Sequence, residues 1–244
     1  MLKITHLSKT YPGGKTAVQD LNLEVAAGDI YGFIGHNGAG KTTTIKAVVG
    51  LLEFEQGDIF IDGISMRENP LRCKQKIAFL PDNPDIYPYL TGIQYLNFIA
   101  DIFGLSAADR TARIEQYANG FGLTDALGDL VSSYSHGMRQ KLALIGALIH
   151  QPRLLILDEP FVGLDPEAIV TLKAIMHELC QNGAAVFFST HVLDVAERLC
   201  NKVAIIKQGR LLEAGTVADL TGGKPLEEVF MEVVRGDAAN PSAT

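Results

Sequence analysis

The 244-residue sequence has no tryptophan, only three cysteines, no excess of basic residues and no apolar run that could span a bilayer. The widely spaced cysteines, Cys73, Cys180 and Cys200, form neither a metal-ligand pattern nor a disulfide framework, which predicts a reducing, cytosolic environment. The net charge of −7 argues against nucleic acid as the main partner, because no basic field would gather phosphates. The longest apolar run of helical character, residues 142–149, is far too short for a membrane helix. Any membrane-spanning part is therefore expected on another chain.

The remaining composition, 47% apolar and 20% charged, is typical of a soluble globular protein, and no targeting signal precedes the first strand-like run. The predicted strands cover residues 2–7, 18–25, 30–34, 58–61, 77–80, 154–157, 185–188 and 203–207. The predicted helical segments, caps included, cover residues 91–104, 106–119, 137–150, 165–179, 192–199 and 225–234. The early strands suggest an antiparallel layer that leads into the loop after residue 34. The block at 84–151 indicates a helical insertion within an α/β core.

The most informative segment is the octet at residues 35–42, which reads Gly-His-Asn-Gly-Ala-Gly-Lys-Thr. A strand-like run precedes it and a helical run follows it, the order typical of a phosphate-binding loop. The three glycines allow a tight turn that points successive N–H groups at an anion, and the helix dipole adds positive charge. Lys41 can reach the β- and γ-phosphates, and the Thr42 hydroxyl can ligate Mg²⁺. The octet therefore predicts binding of a nucleoside triphosphate.

Two carboxylates end the unbroken apolar run at residues 154–157. Such a run is expected of a strand that is covered on both faces. Asp158 at its end is placed to hold Mg²⁺ near a phosphate, usually through water. Glu159 is placed to orient or deprotonate the attacking water. Beside the octet, this pair predicts hydrolysis of the bound nucleotide.

Together with these two motifs, residues 134–140 and 163–166 and His191 resemble the nucleotide-binding subunit of an ATP-binding cassette (ABC) transporter. The resemblance covers nearly all of the chain, from Leu2 to about Arg235. Residues 134–140 read Tyr-Ser-His-Gly-Met-Arg-Gln; they keep the serine and the second glycine of the usual Leu-Ser-Gly-Gly-Gln signature and replace three positions. This form resembles the variant of the ABC-2 export group.

The resemblance implies an α/β fold: a P-loop NTPase (RecA-like) core with an antiparallel β subdomain at the N-terminus and an inserted helical subdomain. One ABC ATPase domain is expected over residues 1–235. Its α/β core would comprise 1–83 and 152–235, its helical subdomain 84–151, and a flexible tail would follow at 236–244.

The resemblance also implies a role for each matching residue. Glu159, His191 and Lys41 would be catalytic, with His191 bonding the γ-phosphate and fixing Glu159. The implied ATP-binding residues are Tyr11, Val18, Gly35, His36, Asn37, Gly38, Ala39, Gly40, Lys41, Thr42 and Thr43. The implied contacts to ATP on a second cassette come from Ser135, Gly137 and Asp165, and the implied metal ligands are Thr42, Asp158 and Asp82.

Several of these residues also have plainer explanations. Tyr11, implied to stack on adenine with Val18 beside it, could be an aromatic of a surface turn. Ser135 and Asp165 could cap helices, which is compatible with their implied roles. Asp82 stands where most of the family has glutamine, and we hypothesise that it keeps the metal-sensing role. The aromatic segment 84–90 could receive a cytoplasmic helix of the transmembrane subunit or only pack the helical insertion.

The resulting prediction is an ATPase that binds ATP and Mg²⁺, dimerises with an identical or different cassette, and drives a separate transmembrane permease. The signature variant favours export, and the expected location is the cytoplasmic face of the cell membrane, as a peripheral subunit. The alternative is a soluble ABC ATPase acting on ribosomes or DNA. Soluble members usually carry paired cassettes or long coiled-coil insertions, and this chain has neither. The transported substrate would be chosen by the transmembrane subunit.

Overall fold

The computed structural model describes residues 1–239. The strands are β1 (Leu2–Thr10), β2 (Thr16–Val25), β3 (Ile30–Ile34), β4 (Gln56–Ile61), β5 (Ile64–Ser65), β6 (Ile77–Leu80), β7 (Leu154–Asp158), β8 (Ala185–Thr190), β9 (Lys202–Lys207) and β10 (Arg210–Thr216). The helices are α1 (Lys41–Val48), α2 (Pro70–Lys74), α3 (Gly92–Ile102), α4 (Ala107–Gly120), α5 (His136–Leu148), α6 (Pro166–Gln181), α7 (Leu193–Leu199), α8 (Val217–Thr221) and α9 (Leu226–Ala239). Helix α9 includes the first four residues of the predicted tail at 236–244, and residues 240–244 lie outside the described part of the chain.

The strands form two sheets. An antiparallel sheet has the order β2-β1-β4-β5, and a six-stranded sheet has the order β10-β9-β3-β8-β7-β6. In the larger sheet every neighbouring pair is parallel except β9 and β10. The predicted antiparallel layer is confirmed for β1, β2 and β4. It is wrong for β3, which lies in the middle of the parallel sheet.

Strand β3 shows why the six-stranded sheet differs from the antiparallel sheet. All five of its residues are buried, with Ile30 and Ile34 in one apolar cluster and Tyr31 and Phe33 in the other. The strand is therefore covered on both faces, which is characteristic of parallel sheets. Fully burying a side chain such as Phe33 contributes roughly 1.5–3 kcal/mol to stability. The core thus consists of two apolar layers separated by the six-stranded sheet.

Parallel pairing also positions the functional segments. Strands β3, β8, β7 and β6 are consecutive neighbours and point the same way, so their carboxyl ends meet at one edge of the sheet. Ligands of open α/β sheets bind outside this edge. The octet follows β3, Asp82 follows β6 and Glu159 follows β7. One edge therefore collects segments that are more than 100 residues apart in sequence.

The helical block between β6 and β7 contains α3, α4 and α5. Thr91 caps α3 in a full capping box, since its hydroxyl accepts from the Gln94 N–H and the Gln94 side chain accepts from the Thr91 N–H. The cap of α4 at Ser106 is only half of such a box. Ser106 Oγ accepts from the Asp109 N–H, but the Asp109 carboxylate binds the Ser106 hydroxyl instead of the backbone N–H.

The sequence patterns did not predict β10, α8 or the short helix α2. Strand β10 pairs with β9 at the edge of the sheet, and its residues are half-buried or exposed. An edge strand of this kind lacks the alternating apolar pattern on which strand prediction depends. None of the helices within residues 1–239 is long and apolar enough to cross a bilayer.

His150, at the end of the helical block, has a strongly lowered pKa. Its ring stacks on Phe103 at 3.7 Å between centroids, and its Nε2 donates to the Ile77 carbonyl at 3.1 Å. Nδ1 is buried and has no partner among the described residues. Burial lowers the pKa of His150 from its ordinary 6.5 to about 4, because the charged imidazolium would lose its hydration.

We predict that His150 weakens the fold as the pH falls from 6.5 towards 4. In this window the unfolded chain binds a proton at His150 that the folded chain does not, so stability falls by roughly 1 kcal/mol per pH unit. His150→Gln should flatten this part of the pH dependence, measured as the free energy of unfolding in urea. Replacing the exposed His177 by Gln is the matched control. An unchanged slope in His150→Gln would contradict the assignment.

Candidate active site

The backbone of the octet adopts a conformation that strongly favours glycine at two positions. Gly38 and Gly40 have φ angles of 80° and 110°, in the left-handed region. A Cβ on Gly40 would lie 2.5 Å from the Ala17 carbonyl oxygen, and one on Gly35 would lie 2.5 Å from that of Ile206. The loop is therefore pressed against β2 and β9, and no larger residue fits at these positions.

Helix α1 begins directly after the octet, and its N-terminus is open. Gly40 is the N-cap residue and offers no side-chain hydrogen bond to the first turn. The first N–H groups of a helix have no partner within the helix, and the helix dipole makes them attractive to anions. The start of α1 can therefore bind phosphate through Lys41, Thr42 and Thr43.

The Lys41 ammonium is buried at the centre of the site, with 6% of the residue exposed. Its Nζ donates to the Gly35 carbonyl at 2.6 Å and lies 3.4 Å from Glu159 Oε1. Lys41 Nζ also lies 3.4 Å from the His36 carbonyl oxygen. A buried cation requires compensating charge, which the carboxylate supplies here. The γ-phosphate of a bound nucleotide can replace the Glu159 carboxylate as the partner of the Lys41 ammonium.

The pairing of β7 with β8 builds the acidic part of the site. Asp158 is opposite Ser189 in the parallel register, and both are buried. The Ser189 hydroxyl donates to Asp158 Oδ1 at 2.5 Å and accepts from the Glu159 N–H at 3.1 Å. One hydroxyl therefore orients both acidic residues. The sequence motifs did not single out Ser189, although its position as the first polar residue after an apolar run was a usable signal.

Glu159 is the turning point between β7 and the loop that follows. Its φ of 49° is left-handed, which is rare for a residue with a side chain and is concentrated at functional sites. The His191 Nδ1–H donates to Glu159 Oε2 at 3.0 Å, while Oε1 faces Lys41. Both carboxylate oxygens thus have a partner. The three residues predicted to be catalytic form one contiguous group.

A cavity of about 530 Å³ lies over this group. The predicted residues that line it are Tyr11, His36, Asn37, Gly38, Gly40, Lys41, Thr42, Thr43, Asp82, Asp158 and Glu159. Residues that also line it but were not predicted are Lys15, Thr16, Ala17 and Gln208. Among the predicted residues, Tyr11 stands at one wall, where its hydroxyl lies 3.3 Å from Thr43 Oγ1. The volume is within the range of cofactor pockets.

Gly35, Ala39 and Val18 are predicted ATP contacts that do not line the cavity. Gly35 and Ala39 are buried residues of the octet, whereas Val18 lies on strand β2. Its side chain is fully buried in the apolar layer beneath the cavity, and the neighbouring Ala17 lines the wall instead. Successive side chains of a strand point to opposite faces, so only one of these two residues can face the nucleotide. Val18 supports the wall from behind.

The predicted metal ligands are compatible with Mg²⁺. Thr42, Asp82 and Asp158 all line the cavity, and they offer one hydroxyl and two carboxylates. Mg²⁺ prefers such oxygen ligands and usually keeps several waters and a substrate phosphate. No group of three or more histidine, cysteine or acidic side chains within residues 1–239 has the geometry of an all-protein metal site. Any metal here would therefore share its coordination with the nucleotide.

Ser135, Gly137 and Asp165 lie together, outside this cavity. Ser135 Oγ caps α5 by accepting from the Met138 N–H, and Asp165 caps α6 by accepting from the Ala168 N–H. A Cβ on Gly137 would lie 2.9 Å from the Gly163 carbonyl oxygen. The first turn of α5 therefore packs directly on the loop before α6.

A salt bridge strengthens the same junction. Lys141, one turn further along α5, contacts Asp165 Oδ2 at 2.6 Å. Hydrogen bonding by Lys141 and the Ala168 N–H lowers the pKa of Asp165. Helix capping by Ser135 and Asp165 is thus observed, and neither residue lines the cavity.

Comparison with known proteins identifies the family. A family profile described as "ABC transporter" matches residues 18–162. The bacitracin transport ATP-binding protein BcrA of Bacillus licheniformis is 39% identical over 214 residues, which are 87% of this chain and 69% of that protein. The ABC transporter ATP-binding protein NatA of Bacillus subtilis (strain 168) is 32% identical, with 97% of this chain and 99% of that protein covered.

A solved structure described as the ATP binding subunit of an ABC transporter has the same fold. It superposes with a TM-score of 0.92 at 35% sequence identity and covers 96% of this chain and 99% of that chain. The site geometry described above agrees with these likenesses, because the phosphate loop and the acidic strand end line one cavity and His191 contacts Glu159. The chain belongs to the ABC transporter family, as an ATP-binding, ATP-hydrolysing transporter subunit.

Proposed function

We propose that this chain is the motor subunit of a membrane exporter, that it works as an ATP-dependent dimer, and that it drives a separate transmembrane permease. The observation that carries the proposal is the contact of Glu159 with both Lys41 and His191 beneath the phosphate loop. This arrangement has a phosphate-binding cation, a base and a residue that orients the base. Such a set suits hydrolysis of a γ-phosphate.

The proposed chemistry follows from the partners of each group. The open start of α1 and Lys41 bind the β- and γ-phosphates, so Lys41 leaves Glu159 for the nucleotide. Glu159, still held by His191, then accepts the proton of the attacking water. Mg²⁺, when held by Thr42, Asp158 and Asp82, supplies positive charge to the phosphate oxygens. Thr43 and Tyr11 contribute to the wall that receives the rest of the nucleotide.

Dimerisation is proposed because the chain presents half of a second site. Ser135, Gly137 and Asp165 are grouped at helix starts, outside the chain's own cavity. Two copies arranged head to tail would place this group over the phosphate loop of the other copy. Each ATP would then be held between the α/β core of one copy (residues 1–83 and 152–235) and a surface of the other copy. That surface would combine Ser135 and Gly137 of its helical subdomain (residues 84–151) with Asp165 of its core.

The proposed permease surface is apolar and lies on the segment after Asp82. Tyr87 and Tyr89 are 60% and 88% exposed, and Ile102 on α3 is 61% exposed. Tyr87 packs edge-on against Phe98, at 6.2 Å between ring centroids, so the segment is partly supported by α3. Large exposed side chains of this kind are typical of protein–protein contacts. We propose that a cytoplasmic helix of the permease binds here, which would place the chain at the inner face of the membrane.

Glu159→Gln should retain ATP binding but lower turnover by about 100-fold or more, because the amide cannot accept the proton of water. A stable dimer should accumulate when ATP is added. Steady-state ATPase assays, ATP titration and light scattering measure these three properties. Glu213→Gln, on the exposed face of β10, is the control. Turnover at the parental rate would refute Glu159 as the base.

Ser189→Ala should lower kcat by roughly 10-fold to 100-fold, because Asp158 and the Glu159 N–H both lose their partner and an unsatisfied buried group disfavours the active geometry. The Mg²⁺ concentration for half-maximal activity should rise as well. ATPase assays over a Mg²⁺ titration test both effects, with the exposed Ser132→Ala as control. If neither value changed, the orienting role of Ser189 would be excluded.

Alanine substitution of Tyr87, Tyr89 and Leu90 together should abolish co-purification with the transmembrane subunit. Basal ATP hydrolysis by the isolated chain should be unchanged, because these residues do not line the cavity. The matched control is Val170→Ala, a valine that is 68% exposed on α6. Retained co-purification would show that the segment only packs against the helical subdomain.

A further inference from the structure

We infer that the C-terminal helix α9 sets the position of the phosphate loop, and that Phe230 is the positioning residue that does so through His36. The inference concerns ATP affinity and requires neither the proposed dimer nor the proposed permease. Nothing in the sequence motifs assigns a role to α9, which begins more than 180 residues after the octet.

The contact itself is an aromatic pair. The Phe230 and His36 rings lie 5.1 Å apart between centroids with an interplanar angle of 74°. This edge-to-face arrangement is a preferred geometry of aromatic pairs. Phe230 is 3% exposed, whereas His36 is an exposed residue that lines the ATP cavity. A fixed buried ring therefore supports an otherwise free side chain of the octet.

Helix α9 is anchored firmly enough to act as a support. Its first residue, Leu226, is fully buried and donates its N–H to Glu197 Oε2 on α7 at 2.9 Å. Near the other end, Lys207 Nζ donates to the Val234 carbonyl at 2.8 Å. The helix is thus tied to α7 and to the end of β9 on either side of Phe230.

The turn after β9 also holds the octet. The Gly209 N–H donates to the Ala39 carbonyl at 2.8 Å, and Gln208 lines the cavity. Lys207, which binds α9, directly precedes these two residues. The octet therefore contacts both α9, through His36, and the turn after β9, through Ala39.

The His36 backbone connects the aromatic pair to the phosphate-binding groups. Its carbonyl accepts from the Ala39 N–H at 3.1 Å and from Lys41 Nζ at 3.4 Å. A displacement of the His36 ring would move this carbonyl and loosen both bonds. Phe230 does not line the cavity, so its influence can reach the nucleotide only through the loop. The expected effect is on ATP binding and not on the chemical step.

The test is a double-mutant cycle on the full chain, with fluorescent ATP binding and steady-state ATPase as readouts. Phe230→Leu should weaken ATP binding roughly three- to tenfold, the range expected from one aromatic pair, and kcat at saturating ATP should stay within twofold. In a His36→Ala background the same substitution should change the affinity less than twofold. His36→Phe, which keeps an aromatic ring against Phe230, should bind ATP more tightly than His36→Ala.

Met231→Ala is the matched control, because Met231 is the adjacent residue of α9, is 38% exposed and does not line the cavity. Urea unfolding of each variant separates loss of positioning from loss of stability. Equal weakening of ATP binding by Phe230→Leu in both backgrounds would overturn the inference, as would unchanged affinity. A fall in kcat without a change in affinity would overturn it too.

Discussion

The parallel pairing of β3, β8 and β7 is the constraint on which the rest of the site depends. It places three strand ends side by side, so that the phosphate loop, Ser189 and Asp158 become neighbours. Strand β8 lies between the other two and delivers the hydroxyl that bridges Asp158 and Glu159. Hydrogen bonds of the sheet hold these strand ends in place. The active site is in this sense a consequence of strand order.

Charge balance explains how the site is prepared for an anion. Lys41 is buried beside Glu159, and the helix α1 has no side-chain cap at its start. By contrast, Ser135 and Asp165 cap the helices α5 and α6, and a salt bridge to Lys141 occupies Asp165. Of these three helix starts, that of α1 is left open to an external anion, whereas those of α5 and α6 are satisfied locally. Phosphate affinity is concentrated where the nucleotide must bind.

Much of the fold and the site could be predicted, because local chemistry dictates it. The left-handed Gly38 and Gly40 permit the phosphate loop, and the apolar run before Asp158 indicates a buried strand. The sequence did not reveal two things about a strand. One is which of its faces is turned to the cavity, and the other is which strand lies beside it. Val18 and Ala17 differ only in the face of β2 to which they point, and periodicity does not say which face meets a ligand. Ser189 gains its role solely from its register with Asp158.

Short-range patterns, such as the octet at residues 35–42 and the helix cap at Thr91, depend on backbone preferences and hydrogen bonds within a few residues. For that reason the order of residues along the chain was enough to specify the phosphate loop, the helical insertion and the family. Contacts between distant segments depend on packing, which no local pattern encodes. Only the folded chain brings Glu159 to Lys41 and His191, sets Ser189 between the two acidic residues, and rests His36 on Phe230. Each of these contacts requires the six-stranded sheet and the helices that cover it.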